Sequence, residues 1–580
     1  MSESDYDLVV RSGTVVDGSG GEPFLGDVAV RDGLVVEVGG VTGRGTREID
    51  AEGAIVAPGF VDIHTHYDGQ AVWDSTLQPS SWHGVTTVVG GNCGVGFAPV
   101  RPQDHEQLIE LMEGVEDIPG TALHEGLRWG WTSFGEYLDV LSRRPRDLDF
   151  ATQVPHAPMR IYAMGKRAVA REPATRDEIA QMALLARESI EAGALGFTTS
   201  RTLAHKTKAG EVTPTYGSAD EELIEIARAV GETGTGVLQL ITEFPDVAEE
   251  FSLMRTMASV SGRPLSVSLL QIRETPRRYR EVLDAITAAN ADGLQITAQV
   301  GSRGMGLLLG LQCALHPFTT NAVWRSISHL PVAEQAARMR DPAMRGAILD
   351  AQTDEKDLRI PGAVRTDRYD AMHELEEFPD YEPSREASIL SRARRAGRTP
   401  EDVVYDVLVR DEGRGMIYQP FSNYADGNLD AVREMLTHPY TLPGLGDGGA
   451  HVGSICDSSF PSTLLQHWVG QRPAGRLDLS FVVRRQARDT ARAVGLLDRG
   501  ELRPGFKADL NVIDLDRMRV HRPEVVYDLP GGGRRLLQRV DGYRHTVVSG
   551  VETYHDGEPT GALPGRVVRG AQPAPARGGA

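Results

Sequence analysis

Two histidines one residue apart, in "APGFVDIHTHYD" (residues 57–68), are the first side chains of this sequence that suggest chemistry. The apolar run before them reads as a β-strand, and residues i and i+2 of a strand share a face, so His64 and His66 present their imidazoles side by side. Such a pair at a strand end begins a divalent-metal site, and further ligands must come from elsewhere. "VVGGNCGVG" places Cys93 in a glycine-rich turn from which a thiolate can face inward, although a free cysteine is most often a small buried hydrophobe. "GLGDGGAHVG" sets Asp447 among glycines that allow close backbone approach to a ligand. A carboxylate there could bind the metal or take the proton of a water attacking a carbonyl, against the ordinary alternative of an Asx turn ahead of Gly-Gly. His451, four residues on, could orient Asp447 or donate to an amide oxygen as charge develops. A substrate carboxylate calls for a guanidinium fork. Arg160, Arg201, Arg273 and Arg303 all follow predicted strands, and Arg273 is the choice among them.

These residues need a scaffold that brings several strand ends together. Eight apolar runs alternate with amphipathic stretches: "GFVDIH", "GVTTVVGG", "LDFATQVP", "GALGFTTS", "GVLQLITE", "PLSVSLLQ", "LQITAQVG" and "YTLPGLGD". Residues 176–193 and 219–234 carry apolar positions at i, i+3, i+4 and i+7, which predicts helices between strands. Eight strands separated by helices predict an α/β fold, a (β/α)8 TIM-like barrel with function at the C-terminal strand ends. Both chain ends instead show short alternating segments broken by turn dipeptides, which predict one small β-sandwich assembled from the two termini. The expected organisation is therefore residues 1–57 and 499–568 as the sandwich, 58–498 as the barrel with a helical insertion at about 317–415, and 569–580 as a flexible tail. The glycines of "GSRGMGLLLG" (301–310) lack P-loop and dinucleotide fingerprints and read as a turn at the barrel mouth.

Composition narrows the function classes. With 81 acidic against 61 basic residues the formal charge is −20, which argues against nucleic acid or an anionic membrane as partner. Three cysteines cannot make a disulfide framework, so a reducing, cytoplasmic setting is expected.

Taken together, "APGFVDIHTHYDG", "GVTTVVGGNCGVGFAP", "GALGFTTSRT", "GLGDGGAH", "GFKADLNVID" and "DGEPTGALPGRVVRG" resemble the D-aminoacylase (N-acyl-D-amino-acid deacylase) branch of the amidohydrolase superfamily, over residues 5 to 570. The resemblance implies a metal-bearing barrel with a terminal β-sandwich and cleavage of a carbon–nitrogen bond by a zinc-bound water. By motif, His64 and His66 match the H-x-H pair, Cys93 the cysteine ligand and Asp447 the strand-eight aspartate, while His156 in "TQVPHAPMR" resembles a position near the substrate. The family's two further histidines, on strands five and six, have no counterpart in "GVLQLITEF" or "PLSVSLLQIRE". One zinc held by His64, His66 and Asp447, with Cys93 or water, is the expectation, with a second, weak site admitted and Glu243 or Gln271 as irregular substitutes. A carboxylated lysine is disfavoured, because Lys206 and Lys208 lie well past "GFTTS".

The expected reaction is hydrolysis of a linear amide in a small N-acyl amino acid. Two alternatives stay open: opening of a cyclic amide or ring deamination on the same barrel, and a catalytically impaired barrel serving as a binding or assembly module. A homo-oligomer is compatible with the large insertion.

Overall fold

A computed structural model describes residues 4–351 and 366–576. Part of the expected insertion and the last four residues of the expected tail therefore lie outside the described residues.

All eight apolar runs form strands, and neighbouring ones run parallel. The first (Phe60–Asp62) pairs with the second (Val85–Gly90), and the second with Asp149–Thr152. The third strand breaks at Gln153 and resumes as Val154–Pro155, which pairs with the fourth (Gly196–Arg201). The fifth (Val237–Thr242), sixth (Leu265–Ser268), seventh (Ile296–Val300) and eighth (Thr441–Pro443) follow in order. Beyond the eighth strand, a parallel bridge between Thr65 and Gly448 returns to the first. The strands are buried on both faces, as parallel strands flanked by helices must be; in Val85–Gly90 all six residues are buried.

Helices fill the connections. Arg176–Ala192 starts at a capping box between Thr175 and Glu178 and stops at Gly193, whose φ of 119° suits glycine. Asp220–Glu232 carries three acidic residues in its first turn, where the helix dipole favours them.

The two ends of the chain share one nine-stranded sheet. Ile55–Pro58 runs parallel to Tyr6–Val15 on one side and antiparallel to Leu510–Ile513 on the other. Beneath the parallel strands the C-terminal segment is fastened by buried charge. Arg499 Nη1 reaches Asp149 Oδ2 at 2.8 Å and Thr87 Oγ1 at 2.9 Å, while Lys507 Nζ stands 3.2 Å from Asp149 and 2.6 Å from Asp509. The hairpin Glu524–Leu529/Gly533–Leu537 leaves the terminal sheet altogether, and its Leu536 amide donates to Val452.

Three expectations change. The tail is anchored as far as Gln572: Gly570 N donates to Gly193 O at 2.8 Å and Gln572 N to Gly495 O at 2.9 Å. "GSRGMGLLLG" is more than a turn, since Met305–Leu309 is a strand paired antiparallel with Ile417–Ser422, which also pairs with His373–Glu374. The helices expected in the insertion form, at Val332–Met339, Pro342–Asp350, Ile389–Ala396 and Pro400–Leu408; the flanking strands extend it from residue 301, and it has its own apolar core that includes Leu307, Leu309, Met339, Ile348, Val404 and Ile417.

Burial opposes ionisation of Asp149, but Lys507 and Arg499 hold its carboxyl below the usual carboxylate range. A depressed folded-state pKa gives stability that is present above about pH 4 and lost as pH falls through the folded value. Asp149→Ala removes the carboxylate that two buried cations share, leaving Arg499 only Asp498 and Lys507 only Asp509, and should cost about 1–3 kcal/mol at neutral pH, measured by urea unfolding. A loss below 1 kcal/mol would remove this cluster as the fastening between the C-terminal segment and the strands.

Candidate metal centre

The end of the first strand and the turn after the second converge first. Asp68 Oδ2 accepts from the Gly91 amide at 3.1 Å and Oδ1 from the Thr152 hydroxyl at 3.3 Å, while Asn92 donates to the carbonyls of Thr65 and Val89. This fixes the turn so that Cys93, at φ 54°, faces the histidines. His64 Nε2 lies 3.3 Å from Cys93 Sγ, and donor atoms of His64, His66 and Cys93 all fall within 4.8 Å of one another.

The loop after the eighth strand brings the carboxylate. Asp447 N donates to His64 O at 3.0 Å, and His66 N to Gly448 O at 2.8 Å. Asp447 Oδ1 then stands 3.5 Å from His64 Nε2 and 3.7 Å from His66 Nε2. Glycine is required for this approach: a Cβ on Gly446 would meet Asp62 Oδ2 at 2.6 Å, and one on Gly448 would meet Ser80 Oγ at 2.5 Å. Leu445, Asp447 and His451 all have positive φ, a strain characteristic of functional loops.

The donor set suits zinc. Ligands of one ion bound at roughly 2.0–2.3 Å lie about 3.3–3.8 Å apart in a tetrahedron, and the separations of His64 from Cys93 and of Asp447 from both imidazoles fall in that range. Burial pushes the His64 imidazole down to about 4, so it is neutral and its Nδ1–H donates to Gln299 Oε1 at 2.7 Å, leaving Nε2 free toward Cys93. Burial also pushes the Cys93 thiol up to about 11. Burial opposes the charge on Asp447, yet the two imidazoles hold it below the usual carboxylate range. A second group of ligand type, His545, Glu552 and His555, lies on the terminal sheet, where Arg47 already pairs with the carboxylate.

Other expected residues separate from this cluster. His156 is buried, with Nδ1 2.8 Å from Thr199 Oγ1 and Nε2 2.8 Å from the Glu222 carboxylate. Arg273 is about half exposed and pairs with Asp370 of the insertion at 2.6 Å. Arg160, Arg201 and Arg303 pair with Glu222, Glu250 and Asp457. Glu243 binds Thr202 and Leu203, and Gln271 binds Asn423, Ala425 and Asp426. His451 does stand beside the centre, its Nε2 3.8 Å from Glu116.

Several residues at the site escaped the sequence reading. Gln239 of the fifth strand accepts from the Cys93 amide at 3.3 Å, and Ser266 of the sixth accepts from Gln299 at 3.0 Å. His205 is pushed down to about 3 by burial and feels the charges of His451, His66, Asp447 and His64. Glu116 lies 3.2 Å from His66 Nδ1. A cavity of about 860 Å³ lies elsewhere, between Phe378–Glu382 and Gln466–Gly475. The cleft that touches Asp447 has only about 10 Å³, close to the minimum for one water.

Comparison with known proteins fits this geometry. A family model described as the amidohydrolase family matches residues 47–554. The chain belongs to the amidohydrolase family. This amidohydrolase is a hydrolase of carbon–nitrogen bonds other than peptide bonds. It is 27% identical to an uncharacterized protein of Mycobacterium tuberculosis over 92% of this chain and 89% of that one. It is 26% identical to N-acyl-D-glutamate deacylase of Alcaligenes xylosoxydans xylosoxydans, over 98% and 97%. A solved D-aminoacylase structure superposes with a TM-score of 0.65 at 24% identity, covering 97% of this chain and 100% of that one. No helix among the described residues is long and apolar enough to cross a membrane.

A thiol pushed up to about 11 must lose its proton to become a ligand. Zinc affinity of the metal-free protein should therefore rise with pH, about tenfold per unit for each proton released, as read by competition with a chelator from roughly pH 6 to 8. Cys93→Ser should flatten that dependence by about one proton, and an unchanged slope would exclude the thiolate from the donor set.

Proposed function

We propose that this protein is a zinc-dependent hydrolase of linear amides, acting on an N-acyl-D-amino acid or a related small N-acyl compound. The observation that carries the reading is the convergence of His64, His66 and Cys93 with Asp447 against both imidazoles. The eight parallel strands and the shared terminal sheet support a (β/α)8 barrel with a β-sandwich built from both chain ends, the site lying at the C-terminal strand ends as in other such barrels.

His64, His66 and Cys93 would hold the ion, with the Asp447 carboxylate standing against it and the fourth position left to water or substrate. When bound there, zinc supplies Lewis acidity that lowers the pKa of water and polarises a carbonyl. Asp447, kept ionised, accepts the proton of the attacking water at Oδ2 or Oδ1 and returns it to the leaving amine. His451, beside Glu116, is placed to donate to the amide oxygen as negative charge grows. Gln239 and Ser266 occupy the fifth and sixth strands where they approach the site, and neither is a charged ligand. That supports one tight metal. The compared D-aminoacylase is described as having a binuclear centre with one-metal activation and second-metal attenuation, which agrees with a working single-metal enzyme.

Asp447→Asn should keep its zinc through His64, His66 and Cys93 while kcat falls about 10²–10⁴-fold. The assay is a panel of N-acyl-D- and N-acyl-L-amino acids run beside cyclic imides. Wild-type turnover in the variant would refute the role of Asp447, and preferential ring opening would replace the linear amide by a cyclic one.

A further inference from the structure

Glu116 is a buried carboxylate at the centre for which the chemistry above has no use. It follows the helix His105–Val115, in the long excursion between the second and third strands, and its side chain is 1% exposed. Oε1 lies 3.2 Å from His66 Nδ1 but out of line with the N–H, and Oε2 lies 3.8 Å from His451 Nε2. Neither His66 Nδ1 nor Glu116 Oε2 has a hydrogen-bond partner. Two buried polar atoms without partners, facing one another across one carboxylate, are costly unless they engage.

The backbone fixes Glu116 from the far side. Its carbonyl accepts from the His451 amide, and the next residue, Asp117, accepts from Ser454 Oγ at 2.8 Å. The pair Glu116–Asp117 therefore ties the excursion to the loop that carries Asp447 and His451. The other imidazole is served differently, because His64 Nδ1 meets the neutral amide oxygen of Gln299.

We propose that Glu116 is the positioning carboxylate of the metal centre, taking the Nδ1–H of His66 with Oε1. The proposal rests on the reading that His64, His66 and Cys93 bind a metal. A carboxylate on the outer nitrogen fixes the tautomer, directs Nε2 at the ion and raises the basicity of the ligand. His66 is then the stronger of the two imidazole ligands, and a residue outside the barrel strands sets the strength of the site.

The test compares full-length wild type with Glu116→Gln and Glu116→Asp. Zinc affinity is measured by chelator competition, and the thermal midpoint is measured on the metal-free protein. Glu116→Gln should bind zinc roughly 10–100-fold more weakly with the metal-free midpoint unchanged, and Glu116→Asp, which keeps the charge, should recover part of the loss. Unchanged affinity overturns the proposal, as does a lowered midpoint with unchanged affinity, which marks a structural role only. If the Gln variant does not fold, a structure of zinc-loaded wild type decides: Oε1 in line with His66 Nδ1 supports the assignment, whereas a carboxylate bonded to the ion or turned away overturns it. Wild type that holds no zinc defeats the functional reading itself, and this proposal falls with it.

Discussion

Two backbone hydrogen bonds, Asp447 N to His64 O and His66 N to Gly448 O, join the last parallel strand to the first. Everything chemical in the molecule depends on them. They set a carboxylate from residue 447 in register with imidazoles from residues 64 and 66, nearly four hundred positions earlier in the chain. The loop that makes them departs from relaxed backbone at Leu445, Asp447 and His451, each at about 1–3 kcal/mol. The surrounding packing must offset that cost, and the near-complete burial of Asp62, His64, His66 and Ser80 gives the loop one conformation instead of several.

Burial also sets the electrostatics. Desolvation keeps His64 neutral, with a nitrogen free to bind an ion, and keeps Cys93 protonated until an ion takes the place of its proton. The same enclosure leaves about 10 Å³ beside Asp447. Three segments lie over this side: Glu116–Asp117, the loop following Asp447, and the hairpin whose Leu536 donates to Val452.

Much of this was legible in the sequence because its signals were local. Each parallel strand is buried on both faces and so appears as an apolar run, and the H-x-H pair and the glycine-enclosed Asp447 lie at the ends of such runs. What was missed depends on distant partners. Glu116 ends an ordinary amphipathic helix and looks like a solvated acid until the fold packs it on His66. Gln239 and Gln299 are neutral residues within strands, and only the curvature of the sheet turns them toward Cys93 and His64. The place of Arg273 after a strand likewise says nothing about side-chain direction, and in the fold it pairs with Asp370 of the insertion. The C-terminal stretch lacked an apolar pattern because it is held through its backbone, at Gly193 and Gly495.

The shared terminal sheet imposes an order on biosynthesis. Ile55–Pro58 leaves the ribosome early, yet its antiparallel neighbour Leu510–Ile513 is translated roughly 450 residues later. At about 5–20 residues per second, that edge stays unpaired for on the order of half a minute or more. A nascent chain with such an exposed β-edge is open to wrong pairing until the carboxy-terminal strand arrives to cover it.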